Sequence, residues 1–85
     1  LEFRRVLFRS MWKGYIFRTP RAEIYTITVT TTRGGAAKLI VNDEVRAEGT
    51  TGQPISSEIW LNQGAHAIRV QNISGSFDVQ SVEVK

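Results

Sequence analysis

Short runs of alternating apolar and polar residues recur along the chain from residue 11 onward. The clearest run is Ile24 to Thr31, in which Tyr25, Ile27 and Val29 share one parity and threonines fill the other. Because successive side chains of a strand point to opposite faces, this run predicts a β-strand with one face in a core. No segment sustains the i, i+3, i+4, i+7 spacing of an amphipathic helix. The pattern therefore predicts an all-β chain.

Six further strands follow from the same alternation and from the turn residues between the runs. Asn42 and Asp43 tolerate positive φ, which predicts a two-residue hairpin. The six runs, with their inward residues, are Lys13 to Arg18; Lys38 to Val41, with Leu39 and Val41 inward; Glu44 to Glu48, with Val45 and Ala47 inward; a strand marked by Ile59 and Leu61; one with His66, Ile68 and Val70 inward; and a last strand after the turn Ser74 to Ser76.

The last run changes parity part-way along its length. Phe77 and Val79 occupy one parity, whereas Val82 and Val84 occupy the other. A one-residue β-bulge near Gln80 or Ser81 reconciles the two halves, because a bulge inserts one extra residue into a strand. Seven short strands separated by turns predict a two-sheet antiparallel β-sandwich of the jelly-roll-like kind.

Length and composition narrow the function classes. A chain of 85 residues without cysteine is one domain at most and has no disulfide, thiol nucleophile or thiolate metal site. No apolar run approaches the roughly 20 residues of a membrane helix, so we expect no membrane partner. The formal charge of +3 suggests a nucleic-acid partner, but its position along the chain argues against one.

Most of that charge lies in the first ten residues, LEFRRVLFRS. They hold three of the 11 basic and one of the 8 acidic residues, which leaves 8 basic and 7 acidic residues in the remainder. The string resembles the translated end of a common short-read sequencing adapter, and such scars are excluded from fold reasoning. We therefore expect residues 1–10 to be an artefactual tail and residues 11–85 to be the C-terminal part of a sandwich module. An authentic basic strand or arm is the alternative.

The order of the runs resembles that of family 6 and family 35 carbohydrate-binding modules, and of the similar C-terminal β-sandwich domains of glycosidases such as α-L-fucosidases. Their recurring "G-x-Y-x-V-x-V", "L-x-V-N-G", "L-x-x-G-x-H-x-I-x-L" and "D-x-I-x-L" patterns read here as Tyr25-Thr26-Ile27, Val41-Asn42-Asp43, Leu61 to Val70 and Val79 to Val84. The resemblance covers residues 11–85 and implies a fold that is incomplete at the N-terminus.

The resemblance also implies a ligand site, with departures. An Asn that bonds sugar hydroxyls at the start of the last strand corresponds to Asp78, which keeps an acceptor but lacks the amide donors. The next motif residue, Asp in the family, is Gln80. The loop Gly52 to Ile55 has no sugar-stacking Trp. No cofactor is expected, although calcium, common in family 35, would belong to the absent N-terminal segment.

Other residues supply the chemistry that sugars need, which is an aromatic platform together with planar polar side chains. Trp60, Tyr15 and Asn62 are such candidates. Parity between Ile59 and Leu61 points Trp60 outward, where it is a platform, a cover for a missing strand or a contact with a neighbouring domain. Tyr15, like Trp12, has the spacing of a core or sheet-edge residue.

The sequence offers little support for catalysis. His66 is the only histidine and has an inward parity, with no nucleophile motif such as G-x-S-x-G near it. Asp43 and Glu44 share a turn rather than facing each other across a cleft, as glycoside hydrolysis requires. We therefore expect no catalytic residue and no metal ligand.

These observations favour a non-catalytic carbohydrate-binding-like module of an extracellular or periplasmic glycoside hydrolase. Such a module tethers the enzyme to a polysaccharide or oligosaccharide and raises the local substrate concentration. A purely structural sandwich that packs against a neighbouring catalytic domain is the alternative.

Overall fold

The structure, a computed structural model, describes the backbone of residues 3–9 and 12–85 and the side chains from Lys13 onward. These residues form strands and no helix. The strands are β1 (Phe3–Arg9), β2 (Trp12–Thr19), β3 (Glu23–Thr31), β4 (Gly35–Val41), β5 (Glu44–Thr50), β6 (Ile55–Leu61), β7 (Gly64–Gly75) and β8 (Val79–Val84). The seven strands predicted from the sequence correspond to β2 through β8.

The strands form two antiparallel sheets that face each other. One sheet has the order β1-β2-β7-β4-β5, and the other has the order β6-β3-β8. The core between them contains Tyr25, Ile27 and Val29 from β3, together with Leu39 and Ile68 from the opposite sheet. The predicted antiparallel β-sandwich is confirmed.

One residue of β5 that the sequence predicted to point inward points outward in the structure. Val45 is 53% exposed, whereas Ala47 packs against the core as predicted. The cause is a bulge, because Leu39 pairs with Ala47 while the next residue, Ile40, pairs with Val45. Arg46 is thereby skipped, and the parity of the strand reverses between Val45 and Ala47.

The bulge predicted in the last strand is confirmed. Thr30 pairs with Ser81 and Thr31 pairs with Val79, so the extra residue is Gln80. Val79 and Val82 consequently both pack against the core, although their spacing in the sequence is odd.

The hairpin predicted at Asn42 and Asp43 joins β4 to β5. Both residues have positive φ, at 51° and 69°. Asn42 also holds the neighbouring strand, because its Oδ1 accepts a hydrogen bond from the Ala67 backbone N–H at 3.0 Å.

Strand β1 was not predicted. Its backbone pairs with β2 from Phe3 opposite Phe17 to Arg9 opposite Trp12, with one register shift. An open sheet edge presents unpaired N–H and C=O groups to any extended segment, whatever its side chains. Residues 1, 2, 10 and 11 of the expected tail and its junction, and the side chain of Trp12, lie outside the described part. The artefactual origin of the tail stays a prediction.

Candidate functional site

Three loops meet at one end of the sandwich, which we call the Asp78 end. They are the β3–β4 turn (32–34), the β5–β6 loop (51–54) and the β7–β8 loop (76–78). The backbone N–H of Asp78 donates to Thr32 Oγ1 at 2.8 Å, and the Thr32 N–H donates to the Asp78 carbonyl at 2.9 Å. The backbone of Asp78 is therefore fixed to the β3–β4 turn, while its side chain takes no part in this attachment.

The β5–β6 loop is attached to the same turn from the other side. The Gly52 N–H donates to Thr31 Oγ1 at 3.1 Å. Gly52 has a φ of 87°, and a Cβ there would collide with the side chain of Arg33. Only glycine combines this φ with so close an approach at low cost. The loop and Asp78, which are the two segments that the sequence resemblance associates with sugars, thus flank one turn.

The Asp78 carboxylate is accessible. Its side chain is 84% exposed, and Lys13 Nζ, on a side chain 18% exposed, lies 3.8 Å from Asp78 Oδ1. So exposed an ion pair contributes little to stability. The pair offers a hydrogen-bond acceptor, the carboxylate, beside a hydrogen-bond donor, the ammonium group. Both lie at the Asp78 end, where β2 comes close to the β7–β8 loop.

Gln80 lies close to Asp78, and its side chain is exposed at the β8 bulge. A bulge re-aims the side chains around it, and bulges are frequent beside binding sites. Asp78 and Gln80 are thus the two predicted ligand residues at this end, two positions apart in the chain.

The other three predicted ligand residues lie elsewhere. Asn62 is exposed in the β6–β7 turn at the opposite end of the sandwich, where its backbone carbonyl accepts a hydrogen bond from Thr19 Oγ1 at 2.7 Å. Tyr15 is half-buried against the core. Trp60 projects outward from the β6-β3-β8 sheet, 61% exposed, as its parity predicted.

A groove of about 550 Å³ adjoins the β5–β6 loop. It runs between β5 and β6, and its lining includes Ala47 and Gly49 of β5 and Gln53 and Pro54 of the loop. The two small residues of β5 leave the side of the sandwich open there, so the loop is reachable from the solvent on that side.

His66 has a structural place. Its Nε2 donates to the Asn62 carbonyl at 2.7 Å, its Nδ1 accepts from Asn42 Nδ2 at 3.0 Å, and its ring lies 5.6 Å from that of Phe17. An amide nitrogen donates and a carbonyl accepts, so Nδ1 is the acceptor and Nε2 the donor in this pair of hydrogen bonds. Both ring nitrogens are thus engaged in joining turns at the Asn62 end.

The described residues contain neither a metal-binding cluster nor a membrane-spanning helix. No group of three or more His, Asp or Glu side chains is placed there to share a metal ion. No helix in the same part of the chain is long and apolar enough to cross a membrane. Calcium in a preceding segment stays a prediction.

Sequence reasoning missed Lys13 as a companion of Asp78. The two residues belong to β2 and the β7–β8 loop and are 65 positions apart in the chain. Nothing in local spacing could have joined them, because the contact depends on how the edges of the two sheets are superposed.

Comparison by sequence finds no matching protein family and no similar characterised protein. Comparison of structures finds a β-glucosidase from Paenibacillus barengoltzii with a TM-score of 0.68 over 91% of this chain, at 18% identity. A family 35 carbohydrate-binding module from an environmental isolate matches with a TM-score of 0.64 over 89%, at 17% identity. A family 36 module in complex with calcium and xylotriose matches with 0.52 over 100%, at 10% identity.

These matches show a shared fold. The chain has the β-sandwich found in carbohydrate-binding modules and in a glycosidase, as the sequence resemblance predicted. The chain spans 10% of the β-glucosidase, 67% of the family 35 module and 89% of the family 36 module.

Proposed function

We propose that this chain is a non-catalytic carbohydrate-binding module that tethers an extracellular or periplasmic glycoside hydrolase to polysaccharide. The observation that carries the proposal is the meeting of Asp78 and the β5–β6 loop around one turn, in a sandwich whose structural neighbours are carbohydrate-binding modules. Binding holds the linked enzyme near its substrate, so the module acts through local concentration rather than through chemistry.

The Asp78 end supplies hydrogen-bonding groups to sugar hydroxyls. The Asp78 carboxylate accepts, the Lys13 ammonium donates, and the Gln80 amide does both. Sugar hydroxyls both donate and accept, so a mixed set of this kind matches them better than carboxylates alone. Because the β5–β6 loop has no aromatic residue, hydrogen bonds rather than stacking carry the affinity at this end.

The proposal includes no catalysis because the paired carboxylates of the β4–β5 hairpin do not have the arrangement that a glycosidase needs. Asp43 and Glu44 are exposed on the β4–β5 hairpin, and Glu44 Oε2 lies 3.0 Å from Arg46 Nη2 in an ion pair. They have the surroundings of solvated turn residues. A retaining or inverting glycosidase instead needs two carboxyl groups on either side of a bound sugar.

A structural accessory domain is the second candidate. The β-glucosidase match shows that this fold occurs as a small part of a far longer chain. In that case the sandwich packs against a catalytic domain, and the exposed Trp60 is an anchor of the interface.

Titration calorimetry with soluble xylo- and gluco-oligosaccharides tests the proposal. Asp78→Ala should weaken binding by about 1 to 3 kcal/mol, the usual effect of losing a hydrogen bond to a charged group. Asp78→Asn should keep most of the affinity, because the amide oxygen still accepts and the amide nitrogen adds donors. The attachment to Thr32 involves only the backbone of Asp78, so the loop should keep its shape in both variants.

Glu44→Ala is the matched control, since it removes an exposed carboxylate at the opposite end of the sandwich. It should leave the affinity unchanged. If the native chain binds no sugar across the panel, the structural accessory domain replaces the binding module.

A further inference from the structure

Both loops of the Asp78 end are attached to the β3–β4 turn by two neighbouring threonines where β3 ends. Thr31 Oγ1 accepts a hydrogen bond from the Gly52 N–H at 3.1 Å, and Thr32 Oγ1 accepts one from the Asp78 N–H at 2.8 Å. Adjacent side chains of an extended chain point to opposite faces, so two neighbouring hydroxyls serve two different loops. Thr31 holds the β5–β6 loop, and Thr32 holds the β7–β8 loop.

Where the turn ends, two glycines hold the same two loops. The Gly35 N–H donates to Thr51 Oγ1 at 2.8 Å, and the Thr51 N–H donates to the Gly35 carbonyl at 2.9 Å. The Ser76 N–H donates to the Gly34 carbonyl at 3.1 Å. The hydrogen bonds of the described residues thus join each loop to the turn, and none of them joins the two loops to each other. The turn is therefore the hydrogen-bonded connection between the loops.

The threonines of this connection differ in burial. Thr31 and Thr51 are buried, so the loss of either hydroxyl leaves a polar backbone group in a place shielded from water. Thr32 is half-buried, and its hydrogen bond with the Asp78 N–H is exposed. Water can replace the Thr32 hydroxyl there at little cost in stability. The function of the Thr32 hydroxyl is therefore to be sought in what it does to Asp78 rather than in the stability of the core.

The Asp78 carboxylate depends on its own backbone for its position. The side chain is 84% exposed, and its ion-pair partner Lys13 Nζ lies 3.8 Å from Oδ1, which is beyond hydrogen-bond distance. Residues 76–78 lie between β7 and β8 and belong to neither strand. The backbone N–H and C=O of Asp78 are both bonded to Thr32. Thr32 therefore determines where the Asp78 side chain starts and in which direction it points.

We propose that Thr32 is a positioning residue for the Asp78 carboxylate, and that its turn couples the two loops, so that a sugar bound at Asp78 also orders the β5–β6 loop. The proposal rests on the carbohydrate-binding function proposed above. A loop that is already held in place loses less conformational entropy when it binds, so the Thr32 hydroxyl raises the affinity without touching the sugar. A bound sugar in turn restrains the β7–β8 loop, and this restraint reaches the second loop through the shared turn.

Calorimetry with xylotetraose and cellotetraose tests the positioning role. Thr32→Val preserves the shape of the side chain but removes the hydroxyl, and it should weaken binding about threefold to tenfold. Thr32→Ala should behave in the same way, whereas Thr32→Ser keeps the hydroxyl and should bind like the native chain. The melting temperatures of all three should lie within about 4 °C of the native value. Thr26→Val removes a half-buried hydroxyl near the other end of β3, and as the control it should leave the affinity unchanged.

A double-mutant cycle shows whether Thr32 acts through Asp78. In the Asp78→Ala variant there is no carboxylate left to position, so adding Thr32→Val should cause no further loss of affinity. A general loosening of the fold would instead weaken binding by the same factor with and without the carboxylate. Equal losses in the native and Asp78→Ala backgrounds would therefore overturn the positioning role.

Amide hydrogen exchange measures the coupling between the loops. A saturating concentration of the tetrasaccharide should slow exchange at the Gly52 N–H in the native chain, and much less in Thr32→Val at its own saturation. An unchanged Gly52 rate, or equal slowing in both chains, means that the loops are not coupled through Thr32. If the native chain binds sugar but all Thr32 variants bind equally well, the positioning role is wrong and the binding function stands. If the native chain binds no sugar, both proposals fail.

Discussion

Threonine side chains replace backbone hydrogen bonds where the strands of this sandwich end. Thr51 Oγ1 accepts from the Gly35 N–H at 2.8 Å and donates to the Gly35 carbonyl at 3.0 Å, so one hydroxyl satisfies both polar groups of one residue. Thr19 Oγ1 similarly accepts from the Gly64 N–H at 3.2 Å, and it donates to the Asn62 carbonyl at 2.7 Å. Both threonines are buried, so these bonds are shielded from competing water.

Thr51→Val should therefore destabilise the fold although it preserves the shape of the side chain. The substitution leaves the Gly35 N–H without its hydroxyl partner in a buried place, which costs about 1 to 3 kcal/mol, whereas the Gly35 carbonyl keeps its hydrogen bond from the Thr51 backbone N–H. For a domain of this size, each kcal/mol lowers the melting temperature by roughly 4 to 8 °C. Thr50→Val, at the exposed neighbouring position, is the control and should change the melting temperature little. Equal melting temperatures for the two variants would contradict the assigned role of Thr51.

At this scale the sequence predicts where single side chains point better than which of them meet. The outward direction of Trp60 follows from its place between Ile59 and Leu61, and the structure confirms it. The neighbourhood of Lys13 and Asp78 depends on the alignment of two sheets. No local pattern encodes that alignment, so the partner of Asp78 could not be predicted.

At the scale of the strand, two bulges decide which residues enter the core. The bulge in β8 is visible in the sequence because Val79 and Val82 are both apolar and have opposite parities. The bulge in β5 is hidden, since Val45 and Ala47 share a parity and read as a regular strand. Alternation alone therefore predicts a bulge only where the core-facing residues on both sides of it are apolar, and in β5 the residue opposite the buried Val41 is Glu44.

Two deletions of one residue each in β8 should destabilise the fold to different extents. Without Gln80 the strand alternates regularly, with Val79, Val82 and Val84 all inward, so we expect a loss below about 1 kcal/mol. Without Glu83, Val82 and Val84 become neighbours and one of them must face solvent, which costs about 1.5 to 3 kcal/mol. Urea denaturation of the two variants measures the difference. Similar losses in both would show that Gln80 is not the extra residue of the strand.

At the scale of the whole molecule, the Asp78 end and Trp60 lie on different parts of the sandwich. The loops of the Asp78 end join strands of both sheets, whereas Trp60 lies on β6 of the β6-β3-β8 sheet. Strand β1 lies at the far edge of the other sheet, beyond β2. Among the side chains that the structure describes, those of the core come from β2 through β8, and these seven strands build both sheets.

Removing residues 1–10 should consequently leave both the fold and its binding intact. Strand β1 lies at the edge of its sheet beside β2, and residues 1–10 are predicted from the sequence to be an artefactual tail. We expect a chain that begins at Met11 to melt within about 4 °C of the full chain, a difference of less than about 1 kcal/mol. Its affinity for oligosaccharides should match as well, because every predicted ligand residue lies outside residues 1–10. A melting temperature lower by considerably more would mean that β1 is an authentic strand of the sheet, with the edge of β2 depending on it for its pairing.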